Sequence, residues 1–283
     1  MLTTLKQILA DARQNAYAVP AFDCVEDVMV RTVLETCEEL RAPVIIMCLV
    51  PGPETNDMAY QAGLVRAVAD HHDIPIALHL DHTTDLEVIK MAIDHGFTSV
   101  MIDGSKEPFE ENVALTRAAV ELAHPHGISV EAELGHVGGM DLADVECAES
   151  VLTLPDEVTR FVAETDVDAL AVSIGTAHGV YRSLPDLSID CLKELNAVST
   201  VPLVLHGGSG TPDDQIQEAV RNGICKINIF ADNRIAMAEG FKKSAAAIDR
   251  VDPLPGDLFG PVKESMSKMV AEKTRLLMAD GKV

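Results

Sequence analysis

The feature that most constrains the fold is a regular alternation of short apolar runs with amphipathic segments along the whole chain. Eight apolar runs are typical of strands buried on both faces, because they are nearly continuous. They span Tyr17–Phe22, Pro43–Leu49, Pro75–Leu80, Ser99–Ile102, Ser129–Leu134, Ala169–Ile174, Pro202–Leu205 and Cys225–Ile229. The segments between them carry apolar residues at helical spacing, as in Asp27–Leu40, Asp57–His72, Leu86–His95 and Glu111–His124.

Eight buried strands in strict alternation with helices predict a (β/α)8 TIM barrel of the α/β class. A doubly wound open sheet is the competing fold, but its usual Gly-x-Gly-x-x-Gly first turn is absent. Barrels commonly occupy chains of this length, so we expect a single domain over residues 1–283. The first 15 residues predict an N-terminal helix. Leu258–Met278 predicts a C-terminal helical extension, packed outside the barrel or in an oligomer contact.

The charge of the chain indicates which classes of partner it can bind, and its cysteine content indicates the redox compartment. With 22 basic and 45 acidic residues, the chain has a formal charge of −23. We therefore expect no nucleic-acid partner and no membrane, since phosphate backbones and anionic lipids both require a basic face. A small anionic substrate stays compatible, because backbone amides and a few basic residues can form a positive pocket. Six scattered cysteines without paired spacing indicate core residues in a reducing, cytoplasmic setting.

Polar side chains collect at the carboxyl ends of the predicted strands, where a barrel places its active site. His82, His178 and His206 follow strands three, six and seven, and a barrel brings these ends to one rim. Three imidazoles with an open position are typical of a catalytic zinc site. Glu133 on strand five is a candidate fourth or alternate ligand, or a carboxylate that orients one.

Two carboxylates are candidates for proton transfer. Asp81 is expected to face inward with His79, since side chains alternate along a strand, and it lies next to a candidate metal ligand. Its alternative role is to accept a hydrogen bond from a ligand histidine. Asp141 follows the Gly138-Gly139 pair in a segment with the composition of a closing lid, or equally of a solvated acidic turn.

Two glycine-rich turns follow strands six and seven, at residues 175–179 and 207–210. Exposed backbone amides in such turns can cradle a phosphate, although glycine is also needed wherever a turn is left-handed. Arg182 lies close behind the first turn and is a candidate countercharge for a phosphate.

Six motifs, taken together, resemble the class II, zinc-dependent ketose-bisphosphate aldolases, and the tagatose- and fructose-bisphosphate branch most of all. They are LHLDH (78–82), SVMIDGS (99–105), VEAELGHVGG (130–139), IGTAHGVY (174–181), LVLHGGSG (203–210) and GICKINI (223–229). The resemblance implies a TIM barrel, usually a homodimer or homotetramer. It also implies reversible cleavage of a ketose 1-phosphate or 1,6-bisphosphate to dihydroxyacetone phosphate and an aldehyde.

The resemblance also implies roles for individual residues. His82, His178 and His206 would bind one zinc ion per subunit, and Asp81 would be the proton donor in condensation and the base in cleavage. Asn228 would contact the dihydroxyacetone phosphate part of the substrate. Its phosphate would be held, together with a monovalent cation (Na⁺ or K⁺), by Gly179, Gly207, Gly208 and Ser209. Arg182 falls where some relatives carry a phosphate-contacting lysine, and Asp141 where they carry a loop glutamate.

Departures from the family pattern keep alternatives open. Phe230-Ala231 stands where many relatives have Ala-Thr or Asp-Thr, which removes a phosphate-contacting hydroxyl and adds bulk. A zinc lyase acting on a different ketose or keto-acid donor, or a non-catalytic aldolase-like partner subunit, is therefore the alternative function. Lys226 lies near the end of strand eight, but a Schiff base is not expected, because a Lewis acid can stabilise enediolate charge without one.

Overall fold

The computed structural model describes residues 2–49, 56–139, 151–178 and 185–283. In these ranges the strands are β1 (Val19–Asp23), β2 (Val44–Leu49), β3 (Ile76–Thr83), β4 (Ser99–Ile102), β5 (Ser129–Leu134), β6 (Gly138–Gly139), β7 (Ala169–Val172), β8 (Ala177–His178), β9 (Leu203–Leu205) and β10 (Ile224–Ile229). Eight of these form a closed barrel in the order β1-β2-β3-β4-β5-β7-β9-β10, with every neighbouring pair parallel. The short strands β6 and β8 pair only with each other. The predicted TIM barrel is confirmed.

Helices alternate with the barrel strands and form the outer layer. In the described ranges they are α1 (Leu5–Asn15), α2 (Asp27–Glu39), α3 (Asp57–Val68), α4 (Leu86–His95), α5 (Phe109–Ala123), α6 (Pro155–Thr165), α7 (Ile189–Val198), α8 (Asp213–Arg221), α9 (Ala231–Ala247) and α10 (Pro255–Leu276). No helix among the described residues is long and apolar enough to cross a lipid bilayer.

Strand register determines which side chains enter the barrel, because residues aligned across parallel strands face the same side. Lys226 aligns with Val19 and Asn228 with Ala21. By the same alternation, His79 and Asp81 share a face of β3, and Glu131 and Glu133 share a face of β5. The six polar side chains on these faces are buried: His79, Asp81, Glu131, Glu133, Lys226 and Asn228. The barrel interior is therefore polar toward its carboxyl-terminal rim.

The N-terminal helix closes the opposite end of the barrel. Thr4 and Gln7 form a reciprocal capping box that begins α1. Leu5 and Leu9 are fully buried, and the amide of the intervening Lys6 donates to Ser129 Oγ at 3.1 Å, at the first residue of β5. The predicted N-terminal helix is confirmed, and its position excludes water from the barrel floor.

The C-terminal extension packs outside the barrel, as predicted. Thr36 Oγ1 on α2 donates to Ser267 Oγ on α10 at 2.9 Å. A Cβ on Gly240 of α9 would collide with Val262 Cα of α10, so these two helices approach closely at a glycine. The sequence pattern did not predict α9 as a separate helix, because its apolar residues are not confined to one face. An oligomer contact by this extension stays a prediction.

Several element boundaries differ from the predicted ones, among them those of β3, β7 and α3. β3 runs on to Thr83, past the expected end at Leu80, with a shift in its pairing to β4. β7 ends at Val172, two residues early. The helix predicted through His72 ends at Val68 and tightens into a 3₁₀ turn at 69–71, a common ending for an α-helix.

Four of the five described cysteines are core residues, as expected. Cys24, Cys37, Cys48 and Cys225 are buried with free thiols, and Cys191 is partly exposed. Burial raises the pKa of Cys37 and Cys48 to about 12 and that of Cys225 to about 11. Cys147 lies outside the described residues.

The native protein is expected to protect the four buried thiols from Ellman's reagent, because the thiolate is the reactive form and both burial and raised pKa suppress it. Thiol titration at pH 8 should show these four reacting only after guanidinium unfolding, when all six cysteines become available. Rapid modification of more than two thiols in the native protein would contradict this expectation.

Candidate active site

A cluster of potential metal ligands lies at the carboxyl ends of the barrel strands. His82, Glu133 and His206 each offer one ligand atom, and the three atoms lie within 4.8 Å of one another. Glu133 and His206 are buried, and His82 is partly exposed. Two imidazole nitrogens and a carboxylate oxygen are a common donor set for zinc. The residues present therefore fit a zinc ion.

An irregularity in β3 brings two consecutive residues to the site. In a regular strand Asp81 and His82 would point to opposite faces. Here the pairing with β4 shifts between Leu80 and Thr83, and His82 has a φ of 30°, in the left-handed region. Such a conformation costs a non-glycine residue roughly 1–3 kcal/mol and persists only where the surroundings impose it. The strained backbone turns His82 toward the ligand cluster while Asp81 stays inside the barrel.

Each described ligand histidine contacts a second carboxylate through its other ring nitrogen. His82 Nδ1 lies 3.0 Å from Asp103 Oδ2, and His206 Nε2 lies 2.9 Å from Glu131 Oε1. Such carboxylate contacts fix the ring orientation of metal-binding histidines. The nitrogens left for a metal ion are Nε2 of His82 and Nδ1 of His206, and the latter lies 3.1 Å from Glu133 Oε2.

Glu133 is held by its own loop. Its Oε1 accepts a hydrogen bond from the amide of Val137 at 3.1 Å, which leaves Oε2 turned toward His206. The ring of His82 meets that of His206 edge to face, with centroids 4.7 Å apart. The two rings and the carboxylate are thus positioned by contacts among themselves and with neighbouring loops.

A fully buried ionic layer lies beneath this cluster. Lys226 Nζ contacts both oxygens of Glu131, at 3.0 and 2.9 Å, and both side chains are fully excluded from solvent. His79 lies beside them, with Nδ1 2.9 Å from Ser99 Oγ and Nε2 3.8 Å from Glu131 Oε2. Burial and then the charge of Lys226 lower the pKa of His79 to about 3, so this imidazole is neutral.

The carboxylates of the site are ionised despite their burial. Burial alone would raise the pKa of Asp81, but the positive charges of His82 and Lys226 bring it below its ordinary value. The pKa of Glu133 is also lowered, since its contact with His206 outweighs burial. For His82 the balance is reversed: burial would lower its pKa, but Asp81 and Asp103 raise it to about 10.

Asp81 has a fixed neighbour on the opposite side of the barrel. Asn228 Nδ2 donates to Asp81 Oδ1 at 3.1 Å, and both side chains are buried. Within the described part of the chain, Asn228 Oδ1 has no hydrogen-bond partner. An ionised carboxylate and an amide oxygen beside a metal cluster can accept protons or hydrogen bonds from a bound hydroxylated molecule.

The turn after β9 packs too tightly for residues other than glycine. Gly207 has a φ of 67°, and a Cβ there would collide with the carbonyl oxygen of Ala177. A Cβ on Gly208 would collide with Ile227 Cγ2. The amide of Gly208 already donates to Asn228 O at 3.2 Å, so it is engaged within the protein. The turn therefore lies between β8 and β10, next to the backbone of His178.

The start of α9 completes this corner of the site. Ser209 Oγ accepts a hydrogen bond from the amide of Asp232 at 3.2 Å and keeps its own hydrogen to donate. Phe230 and Ala231 are both nearly buried, and the Arg234 guanidinium lies 4.4 Å from the centroid of the Phe230 ring. The bulk of Phe230 is thus packed into the protein beneath an arginine.

Three predicted site residues are not described by the structure, and a fourth is described in its backbone alone. Asp141, Gly179 and Arg182 lie outside the described residues. The backbone of His178 pairs with Gly139 in the small β6-β8 sheet, and its side chain is likewise not described. The described ligand cluster therefore contains two of the three expected histidines, together with Glu133.

Three residues that the sequence prediction did not assign to the site support it: Asp103 and Glu131 contact candidate ligand histidines, and Lys226 contacts Glu131. The sequence contains a pattern that could have identified each of these residues. Asp103 follows strand four, next to strand three, and Glu131 and Lys226 precede Glu133 and Asn228 by two residues. Since side chains repeat with a period of two along a strand, both had to share the inward face.

Comparison with known proteins agrees with this geometry. The family profile described as "Fructose-bisphosphate aldolase class-II" matches residues 3–282. The chain is 38% identical to a fructose-bisphosphate aldolase of Giardia intestinalis, over 99% of this chain and 94% of that one. It is 39% identical to the D-tagatose-1,6-bisphosphate aldolase subunit GatY of Klebsiella oxytoca, over 98% of each.

A solved structure gives the same result. The YdjI aldolase from Escherichia coli K12 superposes with a TM-score of 0.88 at 34% identity, covering 100% of this chain and 99% of that one. The chain belongs to the class II fructose-bisphosphate aldolase family, a group of aldehyde-lyases that act on sugar phosphates and generally depend on zinc.

Replacing Gly207 with alanine is expected to destabilise the protein more than the same change at Gly127. Both glycines have positive φ, and that conformation alone costs alanine about 1–2 kcal/mol. Only at Gly207 does the new Cβ also meet another backbone atom, since nothing lies within 4 Å of the corresponding position at Gly127. Urea unfolding measures both losses, and equal losses would argue against the tight packing of this turn.

Proposed function

We propose that this protein is a zinc-dependent class II aldolase. It reversibly cleaves a ketose 1-phosphate or 1,6-bisphosphate, of the fructose or tagatose type, to dihydroxyacetone phosphate and an aldehyde. The observation that carries the proposal is the ligand cluster of His82, Glu133 and His206 beside the buried Asp81–Asn228 pair. Family membership and the names of the relatives support the same reaction.

Zinc is the metal proposed for the cluster. His82 and His206 would hold it, together with His178 as the family resemblance implies and with Glu133 as an additional or alternate ligand. When bound, zinc supplies Lewis-acid stabilisation of the negative charge that develops on substrate oxygens. Asp103 and Glu131 support this role, because each fixes the ring of a ligand histidine from behind.

Asp81 is the proposed base in cleavage. Its carboxylate takes the proton from a substrate hydroxyl whose carbon is part of the C–C bond that breaks. The carbon that carries this hydroxyl becomes the aldehyde carbon. The bonding electron pair passes to the carbon next to the ketone, and that carbon then takes up a proton, for which Asp141 is the proposed donor, to give dihydroxyacetone phosphate. In condensation the protonated Asp81 returns the proton to the aldehyde oxygen. Its place beside the ligand cluster and its hydrogen bond from Asn228 support this assignment, since a base must be aimed at the proton that it takes.

The phosphate is proposed to bind at the glycine turn beside α9. The phosphate would be held, together with a monovalent cation (Na⁺ or K⁺), by Gly179, Gly207, Gly208 and Ser209. Asn228 would contact the dihydroxyacetone part next to the phosphate. The Gly208 amide already donates a hydrogen bond to the carbonyl oxygen of Asn228. The Ser209 hydroxyl is therefore the better-supported hydrogen-bond donor to the phosphate. Arg182 is proposed as a further countercharge and Asp141 as a loop acid.

The wider organisation is proposed on the same grounds. The chain would form one aldolase domain over residues 1–283 and assemble as a homodimer or homotetramer. The free buried thiols suit a reducing compartment, so we propose a cytoplasmic enzyme.

The protein loaded with Zn²⁺ is expected to cleave at least one member of a panel of ketose mono- and bisphosphates, releasing dihydroxyacetone phosphate that a coupled dehydrogenase assay detects. Removing the metal with a chelator should abolish cleavage, because Lewis-acid stabilisation is lost, and adding Zn²⁺ back should restore it. Cleavage that survives complete metal removal would refute the metal-dependent class.

Changing Asp81 to asparagine is expected to lower kcat by about 10²–10⁴-fold, the usual contribution of a general base. The amide is nearly the same shape but cannot take the proton. Zinc content, measured on the same samples, should not change. Asp190→Asn is the matched control, since that side chain is 94% exposed on α7, and it should keep full activity. Full activity in the Asp81 variant would remove Asp81 from the proposed mechanism.

A further inference from the structure

A lysine inside the barrel is the group that the proposed reaction leaves without a role. Lys226 shares the inward face of β10 with Asn228, and it is fully excluded from solvent. Lysine is almost never fully buried unless it is paired. A buried ion pair contributes little stability compared with well-packed apolar residues of similar size. The Lys226–Glu131 pair therefore calls for a role other than holding the core together.

The contacts of Glu131 connect this lysine to a metal ligand. Glu131 Oε1 lies 3.0 Å from Lys226 Nζ and 2.9 Å from His206 Nε2, and Oε2 lies 2.9 Å from Lys226 Nζ. An ionised carboxylate only accepts hydrogen bonds, so His206 Nε2 carries a hydrogen. Nδ1 is then the nitrogen left to bind a metal ion, and it is the one that faces Glu133 at 3.1 Å.

The contact with both oxygens restrains the carboxylate in two directions. A carboxylate bound through one oxygen can rotate about its last torsion, whereas Lys226 holds both oxygens of Glu131. The remaining neighbour of Oε2 is His79 Nε2, at 3.8 Å, beyond hydrogen-bond distance. Within the described residues, Lys226 is thus the group that sets the plane in which Glu131 meets His206.

The same contacts exclude a covalent role. Lys226 Nζ lies beneath the site with no solvent exposure, and it is engaged by both oxygens of Glu131. A nucleophilic amine must reach a substrate carbonyl and be free of its proton. Lys226 does not meet the first condition, because its amine is buried and engaged by Glu131.

We infer that Lys226 is a positioning residue: through Glu131 it orients His206 so that Nδ1 is presented to the metal ion. This inference rests on the proposed metal-dependent function of the site. It concerns the affinity and geometry of metal binding, and it assigns Lys226 no contact with substrate.

The test compares Lys226→Met with the wild-type protein. Methionine keeps much of the length of the side chain and removes the charge, so Glu131 loses the partner that restrains it. We expect the dissociation constant for Zn²⁺, measured by competition with a chromogenic chelator, to rise about 10- to 100-fold, as is usual when such supporting contacts are lost. The visible spectrum of the Co²⁺-substituted protein should change as well, because the orientation of one ligand changes.

Lys6→Met is the matched control. Lys6 Nζ lies 3.0 Å from the buried carboxylate of Asp168 at the opposite end of the barrel. The same substitution there also deprives a buried carboxylate of its lysine. Its Zn²⁺ affinity and Co²⁺ spectrum should match those of the wild-type protein, which separates general destabilisation from an effect on the metal site.

The double variant Lys226→Met/Glu131→Gln separates positioning from charge compensation. Glutamine removes the buried unpaired charge, so thermal unfolding of the metal-free protein should recover toward the wild type. If Lys226 orients His206, Zn²⁺ affinity stays weakened in this variant. Wild-type affinity in the double variant, or in Lys226→Met alone, would overturn the inference. If Lys226→Met does not fold, the double variant is compared with Glu131→Gln alone, and equal Zn²⁺ affinity in these two proteins would overturn the inference.

Failure of the inference and failure of the proposed function give different results. Wild-type protein that binds Zn²⁺ but cleaves no ketose phosphate would refute the function, and the affinity ratios would still decide the role of Lys226. Wild-type protein that cleaves, with unchanged affinity in both variants, would overturn the inference alone. Wild-type protein that binds no Zn²⁺ would overturn both.

Discussion

The contact on which the site depends is the buried ion pair between Glu131 and Lys226. A closed barrel with a helix across its floor excludes water from its interior, so charges placed there must be paired. Glu131 meets this requirement through Lys226 and, with the same carboxylate, holds the ring of His206. One carboxylate therefore both pairs with the buried lysine and contacts a candidate metal ligand.

The upper part of the barrel repeats this arrangement in a more open form. Asp103 holds His82 as Glu131 holds His206, but Asp103 and His82 lie at the rim and keep some solvent exposure. His82 also depends on backbone strain, since its φ of 30° and the shifted β3–β4 pairing are what turn it toward the cluster. Strained backbone is typical of functional sites, where neighbouring contacts hold it in place. The contact between Glu131 and His206 and the strained backbone at His82 thus bring both histidines to the same ligand cluster.

The corner that is proposed to bind phosphate shows how packing can accommodate a departure from the family sequence. Phe230 takes up buried space at the start of α9, and Arg234 stacks on its ring. The Ser209 hydroxyl and the glycine turn stay beside them, fixed by contacts with Asp232 and Asn228. Losing one hydroxyl at Ala231 therefore leaves a polar, closely packed corner.

The barrel, its inward-facing residues and the rim that carries the candidate site could be predicted from the residues alone, because the βα alternation and the period of two are local properties of the chain. Glu131 and Lys226 were open to the same reasoning through their spacing from Glu133 and Asn228. The tertiary structure alone decided which carboxylate holds which histidine, since partners such as Glu131 and Lys226 are 95 positions apart. It also decided the left-handed turn at His82, because no local propensity favours strain in a histidine and only the surrounding contacts impose it.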